Sequence, residues 1–129
     1  MFTYPKPIDN DMVGKYPAVA NAGAGFFYDE VLEYRVWCYP GEGAIDEFDG
    51  EDYYYSFSSF EEALEFSNST NGAQAPFVLI RQLEWINEIE PGQYKHEKGE
   101  RIAEWSAEHL QGRKRKIDSI KEFFIGRNV

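Results

Sequence analysis

A chain of 129 residues has the size of one domain and can bury a hydrophobic core without disulfide cross-links. Its composition, 43% hydrophobic and 28% charged, is that of a folded globular protein and excludes a disordered one. The net charge of -10 argues against direct nucleic-acid binding, because phosphate contacts need clustered lysine and arginine.

The cysteine content and the N-terminus indicate the compartment. The single cysteine, Cys38, excludes an internal disulfide framework and fits a reducing environment. The first residues contain no basic region followed by an apolar run, so no signal peptide is expected. No window approaches the ~20 apolar residues of a membrane span. We therefore expect a cytoplasmic protein that contacts no membrane.

Residues 1–25 are predicted to form an irregular N-terminal arm. Three prolines and a run of small residues at 18–25 show neither helical nor strand periodicity. Such an arm either lies as a strap over the body or docks on a partner. Residues 26–129 are predicted to form a single α+β domain.

The first predicted strand, Val31 to Tyr39, has large side chains on both faces. Alternation places Leu32, Tyr34, Val36 and Cys38 on one face, and Glu33, Arg35, Trp37 and Tyr39 on the other. A strand with aromatic residues on both faces is either covered on both sides or offers a surface to a partner.

An acidic loop follows the turn at residues 40–43. Five acids lie within seven residues: Asp46, Glu47, Asp49, Glu51 and Asp52. Their spacing does not match the calcium-binding loop of an EF-hand. We interpret the loop as solvated, with weak binding of a cation as the alternative.

The middle of the chain predicts a strand, a helix and a central strand. Tyr53 to Phe57 alternates as a second strand. Ser59 and Glu62 form a capping-box pattern, which predicts the start of a helix that ends near Asn68. Phe77 to Glu88 is apolar on both faces in its first half, which favours a central position in the sheet.

The last third of the chain predicts a hairpin and a terminal helix. Gln93 to Glu97 is expected to pair with Arg101 to Leu110 across Lys98-Gly99-Glu100. A second capping-box pattern at Ser119 and Glu122 predicts the last helix. The order β-β-α-β-β-β-α predicts an α+β fold with a single small antiparallel sheet and helices packed on one face.

The sequence contains no pattern that predicts a catalytic, cofactor-binding or metal-binding residue. His96 and His109 each have a glutamate beside them, but neighbouring residues on a strand point to opposite faces. We interpret both as structural or surface histidines, and Cys38 as a small buried hydrophobe. No glycine pattern matches a phosphate-binding loop. The basic run at 113–116 either contacts an acidic partner or phosphate, or flanks the terminal helix and neutralises neighbouring acids, and the second interpretation is favoured.

Four residues form the candidate interaction site. The aromatic residues of the strands exceed what one face of a small sheet must bury, and aromatic residues and arginine are typical of interface hot spots. The candidates are Arg35, Trp37, Tyr39 and Trp85. A second copy of the chain is the simplest partner for such a surface.

Five segments resemble a family of small uncharacterised bacterial proteins: Phe27–Cys38, Tyr54–Phe57, Glu61–Ser67, Leu79–Ile86 and Gly99–Trp105. Members of that family are sometimes labelled as relatives of the GNAT acyltransferase superfamily, which implies an enzyme that uses acetyl-CoA. The superfamily's pyrophosphate loop, an Arg/Gln-x-x-Gly-x-Gly/Ala turn that opens a helix, has no match here. Gln111-Gly112-Arg113 has the wrong spacing, so no residue is carried over as catalytic.

Three functions follow from these observations. We expect first a non-enzymatic, small acidic domain that binds another macromolecule, as a homodimer or as an accessory module, with no cofactor. The second hypothesis is an acyltransferase relative with a degenerate acetyl-CoA site. The third is an acidic mimic that occupies the groove of a nucleic-acid-binding protein, which needs acids along one face.

Overall fold

The computed structural model describes residues 2–18 and 24–127. Within them, four antiparallel strands form one sheet in the order β2-β1-β3-β4. The elements in chain order are β1 (Glu30–Cys38), β2 (Tyr53–Phe57), α1 (Phe60–Ser69), β3 (Phe77–Glu90), β4 (Gln93–Ser106) and α2 (Ser119–Gly126), with 3-10 turns at Asn10–Met12, Pro40–Glu42 and Ala107–Leu110. The predicted α+β class with a single antiparallel sheet is confirmed. No helix in the described part of the chain has the length and apolar content that a membrane crossing requires.

The last two predicted strands are one strand. The expected hairpin across 98–100 is wrong, because β4 continues through it and turns back on β3 only at the Pro91–Gly92 end. Pairing passes from Gln82 opposite Arg101 to Glu84 opposite Lys98, so β4 holds one residue more than β3 there. Gly99 has a φ of 127° at this bulge, a value that favours glycine.

The core lies between one face of the sheet and the two helices. Its buried side chains include Tyr34, Val36, Val78, Ile80 and Trp105, and Ala63 of α1 packs on them. A bulge near the start of β1 puts Val31 into this cluster, where alternation had predicted Leu32. A second cluster of Ile86, Ile120 and Phe123 attaches α2 at the far end of β3.

The first helix begins as predicted and the last begins one residue differently. Ser59 caps α1 by accepting from the Glu62 backbone N–H at 3.1 Å, and its hydroxyl donates to the Glu62 carboxylate at 3.1 Å, so the predicted N-cap is confirmed. At α2 the N-cap is Asp118, and the Ser119 hydroxyl instead accepts from the Lys116 backbone N–H at 2.7 Å. The second capping box is therefore wrong.

The N-terminal segment crosses from one face of the sheet to the other. Tyr4 stacks on Phe60 on the helix side, and the Ile8 backbone N–H donates to Val31 at 2.8 Å. Residues 14–18 then reach the opposite face, where the Gly14 backbone N–H donates to Glu33 at 2.9 Å. Residues 19–23 of the predicted arm lie outside the described residues, and the domain boundary after residue 25 stays a prediction.

Candidate functional site

The charge of the molecule is concentrated in one lobe. We call residues 39–76, which include β2 and α1, the acidic lobe. This lobe contains nine acids and no lysine, arginine or histidine, so it carries almost the whole net charge of -10. The acids are Glu42, Asp46, Glu47, Asp49, Glu51, Asp52, Glu61, Glu62 and Glu65, and all nine are exposed. Among the residues that the structure describes, none of the nine takes part in an ion pair.

Local contacts give the acidic loop a definite shape. The Asp46 carboxylate accepts from the Gly50 backbone N–H at 2.7 Å. Gly72, with a φ of 76°, packs closely against Ala44 of the loop. A Cβ added to Gly72 would lie 2.2 Å from the Ala44 backbone nitrogen. No group of three or more potential metal ligands comes together in the described part of the chain. The loop therefore spreads its carboxylates over the surface without converging them on one point.

A cavity of about 410 Å³ opens between this loop, β2 and the C-terminal end of α1. Its lining includes Cys38, Ile45, Glu47, Tyr53, Tyr55 and Phe66. The rings of Tyr53 and Tyr55 meet edge to face at 5.8 Å and 84°, and those of Tyr55 and Phe66 at 5.4 Å and 73°. Three aromatic rings at steep mutual angles thus form adjoining walls of one cavity.

Hydrogen bonds fix the tyrosines that line the cavity. The Tyr55 hydroxyl donates to Glu47 Oε2 at 2.9 Å, and this bond raises the pKa of Tyr55. The Tyr53 hydroxyl donates to the Ile45 carbonyl at 2.8 Å. Both rings are therefore held by the loop that carries the acids, and a carboxylate stands at the mouth of an aromatic cavity.

The cysteine that lines the cavity is not activated. Cys38 is fully buried, and its burial, followed by the charge of Glu47, raises the pKa of the thiol. A raised pKa keeps the sulfur in its weakly nucleophilic thiol form. The arrangement accordingly offers no activated nucleophile at this position.

Arg35, one of the four predicted interaction residues, lies inside the molecule. Its side chain is fully buried and donates to Glu33 at 2.7 Å and to Glu104 at 3.0 Å. It also donates to the carbonyls of Pro17 at 2.7 Å and Ala18 at 3.3 Å, so the N-terminal segment closes over it. Arg35 is therefore enclosed by groups of its own chain.

Trp37 and Tyr39 are two residues apart at the end of β1, and Trp37 shares the Glu104 carboxylate with Arg35, whereas Trp85 lies far from all three. The Trp37 indole N–H donates to Glu104 at 3.1 Å, and the Tyr39 hydroxyl donates to Gln74. Trp85 packs under the Arg101 guanidinium, 4.1 Å from the ring centre. Along β3, Trp85 is about 26 Å from the residue paired with Arg35, at ~3.3 Å per residue. No single patch joins the four, and their contact with a partner stays a prediction.

The predicted basic run and histidines have intramolecular contacts. Arg115 donates to Asp29 at 2.6 Å and to Glu84 at 3.1 Å, and Lys114 donates to the Asp29 carbonyl. His96 contacts Glu84 at 2.9 Å. The charge of Arg115 is therefore compensated within the chain, unlike the charge of the acidic lobe.

Sequence reasoning missed the cavity, although one signal for it was present. The bounds of β2 were predicted correctly, but the return of Ile45 and Glu47 over its Tyr53 and Tyr55 side chains was not foreseen. The absence of any basic residue from 36 to 80 is visible in the sequence and marks this region as unusual. Comparison of the chain with protein-family models, curated proteins and solved structures finds no match.

Proposed function

We propose that this protein is a non-enzymatic accessory domain that binds a basic partner protein through its acidic lobe. The observation that carries the proposal is the lobe's nine exposed acids with no basic residue among them. Negative charge at this density attracts a positive surface over about one Debye length and speeds its association. A cytoplasmic location belongs to the same proposal.

Exposed apolar side chains within the lobe favour a protein partner. Ile45 is 74% exposed, Phe48 55% and Tyr55 42%. Interfaces combine such anchors with a charged rim, and the anchors supply affinity while the charges supply steering and specificity. A small inorganic cation would make no use of the apolar surface.

Self-association through the acidic lobe is unfavourable, because two surfaces of the same sign would face each other. Self-association through Trp37, Tyr39 and Trp85 stays a prediction of its own. Static light scattering tests it, since a dimer has twice the 15.0 kDa mass of the chain. A dimer abolished by Trp85→Ala would support that surface, and a monomer at every concentration would remove it.

Site-specific crosslinking in the producing cells tests the proposed function. A photo-reactive phenylalanine replaces Phe48 in the lobe or, as a control, Ile125 of α2, which is 64% exposed. We expect a crosslinked protein with a basic segment from position 48 only. The crosslink should disappear in a variant with Asp49→Asn, Glu51→Gln and Asp52→Asn.

The control for charge is a variant with Glu90→Gln, Glu108→Gln and Glu122→Gln, which neutralises three exposed acids outside the lobe. It changes the net charge by the same amount and should keep the crosslink. Equal crosslinking from positions 48 and 125, or equal loss in the two triple variants, would contradict binding through the lobe.

A further inference from the structure

We propose that the cavity between β2, α1 and the acidic loop binds the guanidinium group of an arginine in a basic segment of the partner. The inference deepens the proposed function and rests on it. It concerns a specific pocket, whereas the proposed function needs only the charge and exposed side chains of the lobe.

The walls of the cavity suit a flat cation. Tyr53, Tyr55 and Phe66 line it with adjoining rings at 84° and 73° to each other. The negative face of an aromatic ring attracts a cation that lies within about 6 Å of the ring centre. A cation that enters is therefore attracted by the face of one ring, whereas the positive edge of the neighbouring ring adds no attraction.

The Glu47 carboxylate is the group in the cavity that would pair with the bound guanidinium. Glu47 lines the cavity and accepts the Tyr55 hydroxyl at 2.9 Å through Oε2. A carboxylate has about four acceptor positions on its two oxygens, so this bond leaves capacity for a guanidinium. The surrounding lobe adds eight further acids and no cation that would compete for the position.

Arginine fits the cavity better than lysine. The guanidinium is planar, stacks on aromatic rings and pairs with a carboxylate through two parallel N–H bonds. It is also less strongly hydrated than an ammonium group, so less favourable hydration is lost when it enters an apolar cavity. The volume of about 410 Å³ admits the head group together with part of its aliphatic stem. An anionic guest is excluded by the charge of the lobe.

The test measures binding of a short, fluorescein-labelled peptide of alternating arginine and glycine by fluorescence anisotropy at about 0.15 M salt. Two matched peptides replace arginine with lysine or with citrulline, which has the same shape but no charge. We expect the arginine peptide to bind more tightly than the lysine peptide by about threefold or more. The citrulline peptide should show no saturable binding.

Variants of the protein separate the cavity from the general charge of the lobe. Glu47→Gln and Tyr55→Leu should each weaken the arginine peptide by about fivefold or more, because each removes a direct contact. Glu65→Gln is the matched control, since it neutralises an exposed acid of α1 that does not line the cavity, and should weaken binding by less than about twofold. Tyr55→Phe keeps the ring and should bind within about twofold of the parent.

Each other result overturns the inference. Equal losses for Glu47→Gln and Glu65→Gln, with no loss for Tyr55→Leu, would mean that only the overall charge attracts the peptide. In that case the proposed function would stand and the cavity would have no part in it. Absence of saturable binding up to about 1 mM peptide would also reject the cavity, while the crosslinking experiment decides the proposed function separately.

Discussion

Both faces of the sheet at β1 and β2 carry carboxylates and aromatic rings, but a buried cation pairs with the carboxylates on only one of them. On one face, the carboxylates of Glu33 and Glu104 surround the buried guanidinium of Arg35. On the other, the carboxylate of Glu47 stands beside the rings of Tyr53 and Tyr55 and has no basic residue near it in the sequence. An acid beside aromatic rings therefore does not by itself indicate a binding site. The position of the compensating cation decides whether the group stabilises the fold or attracts a partner.

We call the face that carries Arg35 the compensated face, and its buried charged groups have several hydrogen-bond partners. The Ser56 hydroxyl donates to Glu33 at 2.9 Å, and the guanidinium carbon of Arg35 lies 4.5 Å from the centre of the Tyr54 ring. Two carbonyls of the N-terminal segment accept two further Arg35 N–H groups. Buried charge is tolerated only when it is paired and hydrogen-bonded in this way.

The largest expected effect comes from removing the cation of the compensated face. Arg35→Ala leaves Glu33 buried without its partner, and should lower the free energy of unfolding by about 3–5 kcal/mol. Arg81→Ala is the matched control, because Arg81 also pairs with a glutamate at 2.7 Å but both side chains are about one quarter exposed. It should lose less than about 1 kcal/mol. Urea denaturation followed by fluorescence measures both.

A second arginine variant keeps this test decisive if Arg35→Ala does not fold. Arg35→Lys retains the positive charge but not the fork that reaches both carboxylates, so its loss should be intermediate, at about 1–3 kcal/mol. Losses of equal size at positions 35 and 81 would mean that burial does not distinguish the two ion pairs, and the comparison between the faces would fail.

The position of the acidic loop over β2 depends on the close packing of Gly72 against Ala44. In Gly72→Ala, the new Cβ would lie 2.2 Å from the Ala44 backbone nitrogen in a residue with a φ of 76°. We expect a loss of about 2–4 kcal/mol from left-handed strain and overpacking together. Gly50→Ala, with a φ of 86° and nothing within 4 Å, should lose only about 1–2 kcal/mol from the strain. Equal losses in urea denaturation would show that the loop moves away from Gly72 without loss of stability.

The local features of the fold could be predicted from the sequence. The bounds of β2 are those that alternation predicted, and Ser59 caps α1 as its spacing from Glu62 indicated. Both signals act over a few residues, although the same spacing at Ser119 and Glu122 did not produce the predicted cap. The strand count was less predictable, because Gly99 at a bulge and a glycine in a turn look the same in a sequence. Only pairing with β3 selects the bulge.

The candidate site depends on contacts that are distant in sequence. Arginine is a residue type typical of interfaces, which made Arg35 a candidate. Its partner Glu104, however, is 69 residues away, and the carbonyls that cover it belong to the N-terminal segment. The cavity likewise requires Ile45 and Glu47 to return over β2, which the close approach of Gly72 to Ala44 permits. Alternation predicts which face a side chain is on, but not which other segment covers that face.

Alkaline pH should separate a buried tyrosine from an exposed one. Burial raises the pKa of Tyr34 well above its ordinary value of 10.0, and its hydroxyl donates to the Pro5 carbonyl. Above pH 10 the unfolded chain therefore loses a proton that the folded chain keeps, so stability is full below that pH and falls as the pH rises. The slope from this residue is about 1.4 kcal/mol per pH unit.

The control for this slope is the exposed tyrosine of the cavity. Tyr34→Phe should flatten the fall in stability between about pH 10 and 11, although it is less stable at neutral pH because it lacks the bond to Pro5. Tyr55→Phe should remove a smaller part of the slope, because the pKa of Tyr55 is raised by its bond to Glu47 but its side chain is 42% exposed. Urea denaturation at several pH values measures both, and the same slope in Tyr34→Phe as in the parent would contradict the burial of this hydroxyl.

The smallest expected effect concerns the uncompensated charge itself. Like charges in the acidic lobe repel one another in the folded protein, and salt screens this repulsion. Raising the salt concentration from about 0.01 to 0.5 M should therefore increase the free energy of unfolding by about 0.5–1 kcal/mol. The variant with Asp49→Asn, Glu51→Gln and Asp52→Asn should gain less than the parent. The variant with Glu90→Gln, Glu108→Gln and Glu122→Gln, which removes three charges outside the lobe, should gain about as much as the parent. Equal gains in the two variants would mean that the repulsion is spread over the whole surface, and the lobe would then have no electrostatic character of its own to offer a partner.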